Sequence, residues 1–253
     1  MLNIIRADFY RIFRSKSIYI ILILMLLIDI SSIILDSSAM CIGVAYHNDS
    51  GIMMTSDANA LTSNGNLYYF FTFVVVGILI SDFTNKTIKN TLSSNCTRIC
   101  YFLSKTFSVY IAATILFSAH NAFFYILNYF VNGSKHAMDA GEYAQIAILQ
   151  MSVLFGMTGF MLMIGFLTKN GTAFNTLTLS LPLTYALILM FLYDYFPEII
   201  ENYLLKYEMH TTIGSLVYNS DHTYKLTVVT IYLSATVVLP ILGYLNFRKS
   251  EIK

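Results

Sequence analysis

The sequence predicts an all-α protein that crosses a membrane several times, and two observations support this fold class. The first is composition: 57% of the 253 residues are hydrophobic and 11% are charged, with a mean hydropathy of +0.65, whereas about 25% of the residues of a soluble domain are charged. The second is the length of the apolar segments, because a helix needs about 20 apolar residues to cross about 30 Å of hydrocarbon. Six segments meet this requirement: 17–36, 61–81, 106–130, 143–168, 172–193 and 226–246.

The distribution of lysine and arginine predicts which way the spans run. Six spans place both termini on the same side of the membrane. If that side is the cytoplasm, it holds every basic residue except Lys135, Lys206 and Lys225, as the positive-inside rule requires. We therefore expect a single transmembrane domain over residues 1–253, with its N- and C-termini inside the cell.

Residues 2–14 are predicted to form an amphipathic helix that precedes the first span. At about 100° per residue, one face of this helix is apolar and comprises Leu2, Ile5, Phe9, Ile12 and Phe13. Three arginines, Arg6, Arg11 and Arg14, lie at the edge of this face or opposite it, where they suit anionic lipid headgroups. Residues 1–16 are thus expected to form an interfacial elbow helix. It serves either as a signal that orients the first span or as a structural elbow packed on the bundle.

The most informative segment is 82–105, a basic stretch between the second and third spans. It has a single acid, Asp82, and its cations are Lys86, Lys89, Arg98 and Lys105. Such a loop is expected to stay on the cytoplasmic side. Ile88, Leu92 and Ile99 recur at helical spacing, which predicts a helix with an apolar docking face. The alternative is a solvated loop without a partner.

Polar residues inside the spans are candidates for helix packing or for a transport path. The third span has a polar stripe at Thr114, Ser118, Asn121, Tyr125 and Asn128, and His120 lies beside it. Polar groups avoid lipid, so this stripe should face the protein, either to form hydrogen bonds between helices or to line a substrate path. Asp29 in the first span should also face protein or water, and either structural pairing or proton coupling would explain it. No pattern of metal ligands accompanies His120.

Two further features complete the predicted architecture. An outer segment over 194–225 contains a short helix that begins near Pro197. Gly156, Gly159 and Gly165 in the fourth span permit the close approach of a neighbouring helix.

The sequence lacks the motifs of several enzyme classes. It has no GxxxxGK[ST] pattern for binding nucleotide phosphates, no HExxH and no GxSxG. We therefore expect a chain that is not an enzyme, that binds no cofactor or metal of its own, and that has no nucleic-acid partner.

The segment after the second span resembles a pattern of the membrane subunits, or permeases, of type-2 ABC exporters. The pattern is an acidic residue, a GTIKN stretch, a leucine, a small-residue turn that ends in SR, and a later lysine. Its matches here are Asp82, Thr87-Ile88-Lys89-Asn90, Leu92, Thr97-Arg98 and Lys105. Two positions depart from it, because Lys86 and Asn95 stand where glycine is usual. The elbow helix and the six spans also resemble the small bacterial members of this family, which are associated with bacteriocin immunity and with peptide or drug efflux.

The resemblance implies a function and a set of partners. The chain would be the membrane subunit of an ATP-driven exporter in the bacterial cytoplasmic membrane, with an amphipathic peptide, a bacteriocin or a drug-like compound as substrate. A separate ABC ATPase would bind ATP and Mg, and a second permease chain, identical or paralogous, would complete the transporter. The coupling helix that docks on the ATPase would use Asp82, Thr87, Ile88, Lys89, Leu92, Arg98, Ile99 and Lys105. The alternative is a standalone membrane carrier or an immunity protein that acts without an ATPase.

Overall fold

A computed structural model of the chain describes residues 1–35, 56–93, 96–133 and 138–249, and within these ranges the chain contains helices and connections but no β-strand. The helices are α1 (Leu2–Arg14), α2 (Lys16–Leu35), α3 (Asp57–Thr84), α4 (Ile88–Ser93), α5 (Arg98–Asn132), α6 (Ala140–Thr168), α7 (Gly171–Tyr193), α8 (Met209–Tyr218) and α9 (His222–Lys249). Helix α3 is continuous, although a 3-10 turn at Asn64–Asn66 and a wider π turn at Val76–Ile80 interrupt its α-helical pattern.

Five helices of the described part are long and apolar enough to cross a membrane, namely α3, α5, α6, α7 and α9. The prediction of an all-α membrane protein is therefore confirmed. The first predicted span corresponds to α2, but the apolar run described within it, Ile18–Ile28, is shorter than a full span. The sixth span and the direction in which the spans run stay predictions.

The third predicted span begins earlier than expected, because α5 starts at Arg98 rather than near residue 106. Thr97 begins the helix as its N-cap: its backbone is extended, and its side chain accepts a hydrogen bond from the Cys100 N–H at 3.3 Å. The connection between α3 and α5 is therefore short, since it comprises residues 85–97 and includes α4.

The predicted outer segment after α7 contains more structure than a short helix. A helical turn at Pro197–Ile199 leads through a π-helical stretch, Ile200–Leu205, to α8. Helix α8 packs against α3 and α6. Gln150 of α6 binds both neighbours, because its Nε2 donates to the carbonyls of Leu61 in α3 and Ile213 in α8, at 3.0 and 2.9 Å.

Helices α6 and α9 form the most extensive helix pair of the described bundle. A Cβ atom on Gly156 would lie 2.9 Å from the carbonyl oxygen of Tyr232, and one on Gly159 would lie 3.0 Å from that of Ala235. Gly165 instead faces α3. The close approach expected from these glycines is present, and contact between the two backbones stabilises the pair.

Two prolines lie inside the long helices, and near each of them a tyrosine from another helix donates the hydrogen bond that the proline cannot donate. Pro182 in α7 has no N–H, so the carbonyl four residues earlier, that of Thr178, lacks its intrahelical donor. The hydroxyl of Tyr68 in α3 donates to that carbonyl at 2.9 Å. In the same way, the hydroxyl of Tyr110 in α5 donates at 2.8 Å to the carbonyl four residues before Pro240 in α9. Both tyrosines thus satisfy backbone acceptors in an apolar region.

Replacing Tyr110 with phenylalanine is expected to lower the free energy of unfolding by about 1 kcal/mol, because the Thr236 carbonyl loses its donor. The same change in a Pro240→Ala background should cost much less, since the N–H restored at position 240 can bond to this carbonyl. Denaturant titration in mixed detergent micelles measures both losses as a double-mutant cycle. Tyr129→Phe, at an exposed position of the same helix, is the control. Equal losses in the two backgrounds would contradict the proposed role of the Tyr110 hydroxyl as the donor to the Thr236 carbonyl.

Candidate functional site

Six segments meet at one end of the bundle, which we call the loop end: α1, the end of α3, residues 85–97, the start of α5, the end of α6 and the end of α9. Aromatic rings fill the space between them, with centroids 5.3 to 6.4 Å apart, and belong to Phe83, Phe102, Phe166 and Phe247. Beside these rings lie four ionisable side chains that contact one another, which we call the charge cluster: Asp8, Arg11, Asp82 and Lys105.

Lys105 lies at the centre of the charge cluster, with only 1% of its surface exposed. Its ammonium group contacts three acceptors, namely Asp8 Oδ1 at 2.5 Å, Asp82 Oδ2 at 2.7 Å and the carbonyl of Ile78 at 3.0 Å. A lysine ammonium has three N–H donors, so each donor has an acceptor here. Lys105 therefore joins α5 to both α1 and α3.

Arg11 forms a second cationic link between α1 and α3. Its Nη1 donates to Asp82 Oδ1 at 2.6 Å and to Ser81 Oγ at 3.0 Å, and its Nη2 donates to Asp8 Oδ1 at 2.6 Å. Burial alone would lower the pKa of Arg11, but the hydrogen bonds and charges of Asp82 and Asp8 raise it above its ordinary value. The helical wheel placed Arg11 where it suits lipid headgroups. In the structure, Arg11 instead contacts two carboxylates of the protein.

Asp82 accepts hydrogen bonds from four groups. Its Oδ1 accepts from Arg11 and from the Thr87 hydroxyl at 3.1 Å, and its Oδ2 accepts from Lys105 and from the Tyr101 hydroxyl at 3.0 Å. A carboxylate has about four acceptor positions, so those of Asp82 are filled. Because Thr87 belongs to residues 85–97, Asp82 connects this loop directly to the charge cluster.

The charge cluster contains two carboxylates and two cations, so its charges balance. Charged groups are costly to remove from water unless they are paired and hydrogen-bonded, and three members are almost fully buried: Asp8, Asp82 and Lys105. Removing one member would leave an uncompensated buried charge. The cluster therefore fixes the relative positions of α1, α3 and α5.

A tight turn at the start of residues 85–97 connects the end of α3 to α4. Lys86 has a φ of 56°, in the left-handed region where glycine is favoured and other side chains are strained. Helix α4 follows, and the side chain of Ile88 is buried against the bundle. The prediction that Ile88, Leu92 and Ile99 share one helical face is wrong, because α4 ends before α5 begins.

Arg98 binds the end of α9. Its Nη1 donates to the carbonyls of Arg248 at 2.5 Å and Phe247 at 3.3 Å. The last carbonyls of a helix lack intrahelical donors, and a cation there also interacts favourably with the helix dipole. Partial burial and the charge of Arg98 lower the pKa of Lys169, which follows the end of α6.

The residues predicted for docking fall into a buried group and an open group. The buried side chains are Asp82, Ile88 and Lys105, and Arg98 is engaged with α9. The open group comprises exposed Thr87, Lys89 and Ile99 and half-buried Leu92. An open depression of about 480 Å³ lies beside α4, which we call the loop depression, and its lining residues are Lys89, Leu92, Cys96, Thr97 and Arg98. A docking role for the buried residues could only be indirect, through the position of the loop.

The remaining elbow residues differ from Arg11. Arg6 and Arg14 are exposed, and the guanidinium of Arg14 lies 4.6 Å from the ring centroid of Tyr10. Sequence reasoning did not single out Asp8, the carboxylate that ties α1 to Lys105. A signal was present, because Asp8 lies at the edge of an apolar stripe and three residues before Arg11, where a helix brings the two side chains together.

Two asparagines of the polar stripe in α5 form hydrogen bonds between helices. Asn121 exchanges hydrogen bonds with Asn64 of α3 at 3.0 and 3.2 Å, and Asn128 donates to Asp57 of the same helix. Both asparagines are buried. Of the two roles considered for the stripe, these contacts favour helix packing for Asn121 and Asn128.

The other intramembrane candidates do not join this hydrogen-bonded group. Thr114 and Tyr125 are half-buried and donate to backbone carbonyls, while Ser118 is exposed. His120 is buried, with its ring 5.7 Å from that of a neighbouring phenylalanine. Asp29 lies in α2, and its side chain falls outside the described part of the chain.

Metal binding and similarity to known proteins add no assignment. Within the described ranges, no three histidine, cysteine, aspartate or glutamate side chains are grouped so that they could hold a metal ion. No protein-family model matches the sequence, and a comparison with curated proteins found no match.

Proposed function

We propose that this chain is the membrane-spanning subunit of an ATP-driven exporter that is powered by a separate ABC ATPase. The main support is the structure around residues 85–97: the charge cluster anchors the base of this loop, Lys89 lines the loop depression, and Ile99 at the start of α5 is exposed. A fixed base beneath an exposed, basic and partly apolar surface suits the docking of a partner protein. The turn at Lys86 adds support, because the resembled pattern has glycine at this position and the backbone adopts a conformation that glycine favours.

The charge cluster supplies a route for mechanical coupling. Thr87 connects the loop to Asp82, and Asp82 is tied through Arg11 to α1 and through Lys105 to α5. Movement of the loop when the ATPase binds ATP and Mg would then displace three helices together. In this proposal the loop end faces the cytoplasm of a bacterial cell, and a second membrane subunit, identical or paralogous, completes the exporter.

The proposed substrate is an amphipathic peptide, a bacteriocin or a drug-like compound. The long helices expose many large apolar side chains, and the buried asparagines of α5 are engaged in contacts with α3. Such a surface suits a hydrophobic or amphipathic molecule better than a small ion.

Substitutions on the exposed surface of the loop end test this proposal. Ile99→Asp and Lys89→Glu should each reduce recovery of the ABC ATPase encoded nearest to the gene at least about tenfold when the two are co-expressed and the tagged chain is purified. Neither substitution touches the charge cluster. Tyr203→Asp, at an exposed position of the segment after α7, is the control and should leave recovery unchanged. Undiminished recovery with both loop variants would exclude docking at this surface and favour a standalone carrier or immunity protein.

A further inference from the structure

A cavity of about 290 Å³ lies between α3, α6, α7, α8 and α9, away from the loop end. Its walls include four tyrosine rings and a hydrogen-bonded glutamate–histidine pair, namely Tyr68, Tyr185, Tyr207, Tyr232, Glu208 and His210. No lysine or arginine is among its lining residues. The volume is just below the range for small-molecule sites, about 300–1,000 Å³.

Glu208 gives this cavity a negative charge. Its Oε1 is hydrogen-bonded to His210 Nδ1 at 2.9 Å, and its Oε2 accepts from the N–H of Thr211 at 2.8 Å. Burial would raise the pKa of Glu208, but the hydrogen bonds that it forms with His210 and with the N–H of Thr211 lower it below its usual range. The carboxylate therefore stays ionised at neutral pH. Because a carboxylate has about four acceptor positions, Glu208 can accept further hydrogen bonds.

His210 offers a second acceptor in the same cavity. The residue is 5% exposed, and its Nε2 has no hydrogen-bond partner within the described residues. In the neutral ring, donation from Nδ1 to Glu208 leaves the lone pair on Nε2. A buried acceptor without a donor is destabilising, so a ligand that brings an N–H group would remove this cost.

The hydroxyl groups of the tyrosines hold their rings in place. Tyr68 donates to the carbonyl of Thr178, and Tyr232 donates to the carbonyl of Tyr207, both at 2.9 Å. Rings fixed in this way present π faces that attract a cation. The ring of Tyr207 already has one such contact, because the ammonium of Lys206 lies 5.8 Å from its centroid.

We propose that this cavity binds an organic ammonium ion with an apolar body. The ammonium group donates hydrogen bonds to the Glu208 carboxylate and to His210 Nε2, while the apolar body packs against the rings of Tyr185 and Tyr232. A carboxylate compound of the same shape is repelled by Glu208. The site belongs to this chain alone, and binding does not require the ATPase.

Isothermal titration calorimetry of the purified full-length chain in detergent tests this site with two probes of similar shape. The cation 2-phenylethylammonium should bind, and the anion 3-phenylpropionate should bind at least about 100-fold more weakly. Glu208→Gln should weaken binding of the cation at least about tenfold. Glu201→Gln, which removes an exposed acid before α8, is the matched control and should leave the affinity unchanged.

Glu208 is also the N-cap of α8, so Glu208→Gln changes a helix cap as well as the binding site. A second variant therefore tests the binding site without changing this cap. Tyr185→Leu removes one of the rings that contact the apolar body but keeps the carboxylate, and it should weaken binding of the cation about threefold to tenfold. Absence of cation binding, equal affinity for the two probes, or unchanged cation binding in both variants would overturn the proposal. Because ATPase recovery is not measured, these outcomes leave the docking proposal untouched.

Discussion

Replacing Lys105 with methionine is expected to lower the free energy of unfolding by about 3–5 kcal/mol. The change preserves most of the side-chain volume but leaves Asp8 and Asp82, both almost fully buried, with Arg11 as their only cation in the cluster. Denaturant titration in mixed detergent micelles measures the loss. Lys89→Met removes an exposed lysine of α4, and this control should change the free energy of unfolding by less than about 0.5 kcal/mol.

Adding Asp8→Asn to Lys105→Met should recover part of this loss, because the cluster then contains one anion and one cation. The double variant should be more stable than the sum of the single losses predicts, by about 1–3 kcal/mol. This coupling would follow from the contact of 2.5 Å between Asp8 Oδ1 and the Lys105 ammonium. Strictly additive losses would show that the two side chains do not stabilise each other, and the cluster would then not link α1 to α5.

Replacing Gly156 with alanine is expected to lower the free energy of unfolding by about 2–3 kcal/mol. The new Cβ would lie 2.6 Å from Cδ1 and 2.9 Å from the carbonyl oxygen of Tyr232. The ring of Tyr232 can turn, but its carbonyl oxygen belongs to the backbone of α9, so α6 and α9 must separate.

The same substitution at Gly77 is the matched control for Gly156→Ala. A Cβ on Gly77 would have no neighbour within 4 Å, and alanine is favoured over glycine in a helix by up to about 1 kcal/mol. Gly77→Ala should therefore leave stability unchanged or raise it. Similar losses at Gly156 and Gly77 in the same denaturant titration would contradict the close packing of α6 on α9.

The fold class could be predicted because long apolar segments and helical periodicity are local properties of the sequence. Asn121 and Asn128 were correctly placed on one face, since seven residues are about two turns of helix. The burial of Lys105 could not be predicted in this way, because it depends on where α5 begins. The Thr97 cap starts the helix at Arg98, which places Lys105 about two turns inside it and beside α1 and α3.

The glutamate–histidine pair of the cavity shows a second limit of local patterns. Glu208 and His210 are two residues apart, and side chains at this spacing do not face each other within a helix. They meet because Glu208 is the N-cap of α8, with an extended backbone, while His210 lies in the first turn. Three of the four tyrosines come from α3, α7 and α9, which are distant in the sequence, so no local signal could predict the cavity.

Site-specific photocross-linking from Ile99 tests the docking of an ATPase most directly. Ile99 is 52% exposed at the loop end, and a photoreactive phenylalanine analogue placed there in intact cells would react with a bound partner. Tyr203, which is 71% exposed in the segment after α7, receives the same analogue as the control. Our account predicts that the product from position 99, and not that from position 203, contains an ATPase with a nucleotide-binding P-loop. Absence of an ATPase from the product at position 99, or equal yields at the two positions, would contradict it.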